Sequence, residues 1–294
     1  MIKYIYLDDS NIEIGGTNFT SLAILEDRIG EVKIIKCSEL SQNKIIDHKD
    51  CVWILANITG LYSLDVSILK TLVETVKNVV KIEFDYNYCV YRGEVPHRVL
   101  GKSNCTCPSH DVVKYLYDWI VSESKYTFFM SHRQMAIYST HFPRLKFDRC
   151  FVLSSCFTHD NFALFEKIRS NKSGNNGKWA IMQGYGGWHS QAKGFQEAAN
   201  HCHKNHLNYD VLPVRNYEEH ITALSNYIGL VFLPIIDDTC PRCVIEAKLI
   251  GIECIMNENC QHVYEDWFSN GIDNMENYLK GRPTFFWEKI DEIR

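Results

Sequence analysis

No apolar run in this 294-residue chain approaches the roughly 18 residues needed to cross a bilayer, so nothing in it reads as a membrane span. No secretory leader is expected either, because Asp8 and Asp9 follow only a few apolar residues and no small-residue cleavage site comes after them. Positive charge is not in excess. The 31 Lys and Arg stand against 36 Asp and Glu for a net charge of -5, which gives no whole-chain attraction to nucleic acid or to an anionic membrane. Tandem repeats and low-complexity tails are absent, which argues against solenoids and disordered arms. The expectation is a cytoplasmic protein without stable membrane insertion, in the host cytoplasm if the source is viral.

What is there is ordinary for a globular chain: 46% hydrophobic and 23% charged residues, at a length that suits two modest domains or one large one. Twelve cysteines are many, but most, such as Cys37, Cys51, Cys150 and Cys254, lie in apolar strand-like runs and read as reduced core thiols.

Short apolar strands alternate with amphipathic helices. Strands are expected at 3–8, 32–37, 51–56, 80–84, 126–130 and 150–155, with helices at 17–25, 64–79, 110–124 and 132–142. After a polar stretch at 170–178 the alternation starts over. Strands are expected at 178–183, 209–213, 229–234 and 252–256, with helices at 189–205, from Tyr217, after Glu246 and at the C-terminus. Such alternation implies parallel sheets with helices on both faces. The expected organisation is two Rossmann-like domains facing each other across a cleft. The first covers 1–154 with an insertion at 89–110, and the second covers 155–294, its last helix a candidate to cross back.

The stretch IIDDTCPRCVIEAKLIG (235–251) joins an apolar strand to a helix, and in open α/β sheets ligands bind where strands end. Asp238 and Glu246 have seven residues between them, Pro241 and Arg242 among these, and Gly251 lies beyond. This resembles the Glu-x7-Glu signature of retaining GT-B glycosyltransferases, family 4 in particular, with Asp in the first acidic position. Gly15 and Gly16 follow the first strand, as a glycine pair does in that family. GYGGWHSQAKG (184–194) lies where the family carries its Lys-Gly phosphate-binding element, and FFWEKI (285–290) resembles the start of its last helix. The resemblance covers most of 150–294, and 1–150 only by element order and the Gly-Gly turn.

The resemblance implies a hexosyl- or pentosyltransferase that moves a sugar from a nucleotide-diphosphate sugar to an acceptor hydroxyl with retention of configuration. Charge builds on the leaving diphosphate, so the site must supply positive charge and fixed donors there. Lys193 supplies the charge, and backbone N–H groups at the helix start by Arg242 and Cys243 supply donors. Gly15, Gly16 and Gly184 are further donor-binding candidates. By family analogy Asp238 holds sugar hydroxyls and Glu246 the ribose. No cofactor is implied for catalysis: the family works without a divalent metal, and no Asp-x-Asp motif stands in the chain. Each residue has a plainer reading too. Lys193 also reads as a solvated helix lysine, Arg242 as a structural ion pair, and Glu246 as a helix N-terminal acid.

Asp85 and Tyr86 occupy the place of an acceptor-side His-Asp pair in relatives, with the histidine missing. The insertion at 89–110 holds Cys89, His97, Cys105 and Cys107, ligand types that suit a structural zinc, at a spacing that matches no common zinc motif. A mobile acceptor loop with incidental thiols is the competing reading, and Arg92, Arg98 and Lys102 lie in the same segment. The acceptor is open among a glycan, a protein and a modified DNA base. Two other readings stand beside the enzyme: a nucleotide-sugar-binding module that has lost turnover, and a GT-B-like epimerase.

Overall fold

The computed structural model describes residues 2–9, 15–101, 103–172, 174–183, 191–213, 216–239 and 241–293. Its contacts divide the chain into two compact units. One runs to Cys156 and resumes at Gly281, and the other is Phe157–Lys280.

The first unit is built on six strands: β1 Tyr4–Leu7, β2 Val32–Ile35, β3 Val52–Leu55, β4 Val79–Glu83, β5 Ser124–Phe129 and β6 Cys150–Val152. All pairings are parallel, in the order β2-β1-β3-β4-β5-β6. β1, β3 and β4 are buried along their whole length, as parallel strands covered on both faces must be. Helices Val66–Thr75 and Asp111–Glu123 bury Leu69, Leu72, Leu116 and Ile120 against Ile5, Trp53 and Leu55. The last helix, Arg282–Asp291, belongs to this unit. Its Trp287 donates from Nε1 to the carbonyl of Ile24 at 2.6 Å, and Tyr4 donates to Asp291 at 2.9 Å.

The second unit carries β7 Trp179–Met182, β8 Tyr209–Leu212, β9 Gly229–Phe232 and β10 Glu253–Met256, all parallel, in the order β10-β9-β7-β8. Its main core packs Phe162, Phe165, Leu224, Leu230, Val244 and Leu279, from helices and the central strand, into one apolar cluster.

In each sheet the first strand lies between the second and the third. That arrangement makes a switch point, β1/β3 in one unit and β7/β9 in the other, where diverging loops leave a crevice. Most strands are shorter than expected by a residue or two, but β4 begins one residue earlier, β5 begins two residues earlier at Ser124, and β6 ends at Val152, three residues short of the expected 150–155. Among the described residues, the expected helix over 189–205 is helical at 191–192 and again at Phe195–Lys204, with a turn between them at 193–194, where Gly194 takes a left-handed φ of 72° and serves as N-cap of the second segment. The insertion at 89–110 is not a bare loop: it folds a helix at Glu94–Leu100 and a 3-10 turn at Cys107–Ser109. No helix among the described residues is long and apolar enough to cross a membrane.

Candidate functional site

Lys193 follows β7 and Asp238 follows β9, so the two loops that diverge at the second switch point each bring one charged group. Lys193 Nζ and a carboxylate oxygen of Asp238 meet at 2.5 Å. The meeting depends on a close backbone approach. A Cβ on Gly194 would lie 1.7 Å from the carbonyl oxygen of Leu233, so only glycine fits, and Ile235 N–H donates to Ala192 C=O at 3.1 Å to seal the contact. Asp238 is fixed from behind, its N–H bonded to Asn259 C=O at 2.8 Å and its C=O accepting from Gln261 N–H at 3.1 Å. The carboxylate side chain is 5% exposed, whereas the lysine side chain is 48% exposed, so the ammonium can turn to a ligand without uncovering the core.

Glu246 lies about one turn along the helix Arg242–Leu249, which no side chain caps at its start. Its Oε1 accepts from Arg242 Nε at 2.7 Å and from Tyr217 O–H at 2.8 Å. Arg242 also donates to Asn161 Oδ1 at 2.9 Å and lies over the Phe157 ring at 3.9 Å. The Arg242 guanidinium is thus spent inside the unit rather than offered to a phosphate. Burial pushes the Glu246 carboxyl above its usual range, against the pull of Arg242. Burial works against the Arg242 charge too, but Glu246 and Tyr217 outweigh it and hold that pKa up. Burial likewise raises the Cys243 thiol, with Asp238 adding to the effect, so Cys243 is no thiolate and its backbone is what it has to offer.

One residue near this site escaped the sequence reading. His262, in the turn Gln261–Tyr264, is fully buried, and neither ring nitrogen has a hydrogen-bond partner among the described residues. Its ring meets Trp267 edge-on at 5.2 Å. Burial pushes its pKa down to about 4, with Asp238 pulling the other way. Unfolded, the same histidine titrates near 6.5. Between those values the unfolded chain holds a proton that the folded chain does not, so stability must fall as pH drops from about 6.5 to about 4. The loss expected is ~3 kcal/mol. Urea unfolding at pH 7 and pH 4.5 should show it in the wild type, and His262→Leu should remove most of the slope.

In the first unit, Gly15 is extended at the start of the helix Gly16–Leu25, and a Cβ there would meet nothing within 4 Å. Gly184 and Lys102 lie outside the described residues. Asp9 has a structural use: its carboxylate accepts from Cys37 N–H at 2.8 Å and Gly60 N–H at 2.7 Å, tying the ends of β1, β2 and β3 together. Asp85 pairs with Arg92 at 3.0 Å, and Tyr86 is buried, stacked on Tyr138 with ring centroids 6.0 Å apart. Below them lies a charged group no residue pattern announced. Lys81 and Glu83 are buried in the middle of the sheet 3.4 Å apart, and Glu83 accepts from Tyr117 at 3.0 Å and Tyr138 at 2.7 Å. Cys89, His97, Cys105 and Cys107 do come together.

No family model and no curated protein matches the chain. Solved structures do. HepE of Anabaena, in complex with UDP and glucose, aligns with a TM-score of 0.54 at 8% identity, over 100% of this chain and 97% of its own. An alpha-glucosyltransferase in complex with UDP and a 13-mer DNA containing a HMU base aligns with a TM-score of 0.52 at 11% identity, over 98% and 94%. The fold is GT-B. At these identities the likeness is one of fold. Within the GT-B architecture, Lys193, Asp238 and Glu246 all belong to the second Rossmann-like unit, and Gly15, Gly16, Asp85 and Tyr86 to the first.

Proposed function

We propose that the chain is a glycosyltransferase that moves a sugar from a nucleotide-diphosphate sugar to an acceptor hydroxyl, with retention of configuration. The observation that carries this reading is the meeting of Lys193 and Asp238 at the β7/β9 switch point, beside the helix that holds Glu246. Cation, carboxylate and uncapped helix start are the groups a diphosphate sugar needs at one place. The UDP bound in the solved structures of the same fold is in keeping with it.

In this mechanism the donor replaces the Lys193–Asp238 pair. A pair whose lysine is half exposed is worth roughly 0–1 kcal/mol, so a diphosphate outcompetes Asp238 for the ammonium. Asp238 is then released to accept from sugar hydroxyls, and Glu246 from the ribose. The acceptor oxygen bonds to the anomeric carbon as the bond from that carbon to the phosphate oxygen breaks. The leaving phosphate takes the acceptor's proton on the same face, and Lys193 with the N–H groups at Arg242 and Cys243 stabilises the charge that develops. The first unit takes the acceptor, whose hydroxyl belongs to a glycan, a protein or a modified base in DNA.

Release of nucleoside diphosphate from a panel of nucleotide-sugars tests the reading, with each acceptor class added in turn. A donor turned over in the presence of one acceptor, its product keeping the anomeric configuration by NMR, is the expected result. Binding without hydrolysis or transfer would favour the module that has lost turnover. Brief EDTA treatment should leave the initial rate unchanged, since Lys193 and the helix start carry the role of a metal. A rate abolished by EDTA and restored by magnesium or manganese would overturn that part.

A further inference from the structure

The segment between β4 and the helix Asp111–Glu123 brings four ligand-type side chains to one point. Cys89 follows the strand end, His97 sits on the helix Glu94–Leu100, Cys105 lies between that helix and the next turn, and Cys107 opens the 3-10 turn Cys107–Ser109. One potential ligand atom from each, three Sγ and one imidazole nitrogen, lie within 4.8 Å of one another. His97 Nδ1 is 3.3 Å from Cys89 Sγ and 3.5 Å from Cys107 Sγ. All three cysteines are free thiols, so no disulfide accounts for the convergence.

From this geometry we infer that Cys89, His97, Cys105 and Cys107 form a structural zinc site. A tetrahedral zinc with Zn–S near 2.3 Å and Zn–N near 2.0 Å holds sulfur and nitrogen about 3.5 Å apart and two sulfurs about 3.8 Å apart. The two measured S–N separations are already at that edge length, and the widest spacing needs to close by about 1 Å. Three thiolates with one imidazole are a soft donor set that selects zinc over magnesium or calcium, and four protein ligands leave no open position for a substrate or water. The backbone is shaped for the purpose. Tyr91 N–H donates to Cys89 Sγ at 3.4 Å, an interaction that favours a thiolate there, and Arg92 and Gly93 take φ values of 61° and 140° to turn the chain back toward His97. Tyr91 also packs edge-on against the His97 ring at 4.9 Å, holding its plane. Cys89 and His97 are buried while Cys105 and Cys107 are half-buried, so the metal would sit at the base of the segment with a path for entry. The burial of Tyr86, Tyr88 and Cys89 in one cluster with Tyr117, Phe129 and Tyr138 anchors one side of the segment, and the zinc would anchor the other.

This site does not depend on the glycosyltransferase reading and is tested apart from it. Protein isolated without chelators should carry about one zinc per chain by elemental analysis. Replacing that zinc with cobalt should give the intense visible bands of a tetrahedral thiolate site. Cys105→Ser, Cys107→Ser and His97→Asn should each lower zinc retention on dialysis, whereas Cys51→Ser, in β3's approach and outside the cluster, should keep it. Removal of the metal by prolonged chelation should speed tryptic cleavage after Arg92 and Arg98. If the variants fail to fold, the zinc content and cobalt spectrum of the wild type decide the matter alone. Wild-type protein that takes up no zinc on dialysis against it, or a freshly isolated chain whose intact mass shows a disulfide among these cysteines, would overturn the site.

Discussion

Replacing Lys193 by alanine is expected to lower the rate of sugar transfer roughly 30- to 1,000-fold, the effect of losing a charged contact worth ~2–4 kcal/mol in the transition state. The diphosphate gains its charge as the anomeric bond breaks, so the ammonium stabilises the transition state more than bound donor, and the loss should fall on kcat as well as KM. Folding should be little affected, because the lysine side chain is 48% exposed and lies on a turn held by its neighbours' backbone bonds. Glu246 needs a gentler substitution. Its carboxylate is buried against Arg242, and alanine there would leave a buried guanidinium without its counter-charge. Glu246→Gln keeps an acceptor for Arg242 and Tyr217 while removing the charge offered to a ribose, and should raise the donor KM by at least about tenfold. Circular dichroism and urea midpoints separate these effects from unfolding. Near-wild-type rates in both Lys193→Ala and Glu246→Gln would remove the donor site from the second unit.

The largest stability effect is expected in the other unit. Glu83→Ala should destabilise the protein by ~3–5 kcal/mol, because it strands the Lys81 ammonium in the sheet interior. Lys81 and Glu83 are 0% and 1% exposed, and the Lys81 ammonium otherwise donates to the carbonyls of Ala56 at 2.8 Å and Ile82 at 2.5 Å. Burial pulls the Lys81 pKa down, and Glu83 is the main group resisting it. Tyr117 and Tyr138 would lose their acceptor at the same time. Against a total stability of about 5–15 kcal/mol, that is a large share. The double variant Lys81→Met, Glu83→Gln should recover part of the loss, since removing both charges leaves neither unpaired. A Glu83→Ala protein with a urea midpoint like the wild type would show the ion pair to be dispensable.

That pair also marks where reading residues in order stops working. The runs around Tyr4–Leu7, Val52–Leu55 and Gly229–Phe232 are apolar on both faces, and a parallel strand buried on both faces has no other composition, so the strands and the α/β class were legible. Lys81 and Glu83 interrupt the same kind of run, and local pattern alone assigns such charges to a solvent face. Their partners, Tyr117 and Tyr138, lie 34 and 55 residues away from Glu83. Gly194 is similar. Nothing nearby in sequence distinguishes it from a helix glycine, and the constraint comes from the carbonyl of Leu233, brought close only by the sheet order. His262 gave no signal because its burial depends on the packing of Trp267 and Phe268 around it. In the second unit, Lys193, Asp238 and Glu246 stood out in the sequence through the family resemblance, and their roles are those proposed above. The Lys193–Asp238 contact and the enclosure of Arg242 were not legible there, because both are tertiary.

The most direct test of the donor site is a thermal-shift titration of the native protein with nucleotide-sugars, run in parallel on wild type, Lys193→Ala and Glu246→Gln. A ligand that binds only the folded chain adds about 2.7 kcal/mol at a hundred times its Kd, enough to move the melting temperature by several degrees. One nucleotide-sugar, and its nucleoside diphosphate more weakly, should raise the wild-type melting temperature, with the shift sharply reduced in both variants. A wild type that responds to no nucleotide-sugar, or a shift of the same size in all three proteins, would contradict the assignment of Lys193, Asp238 and Glu246 to the donor.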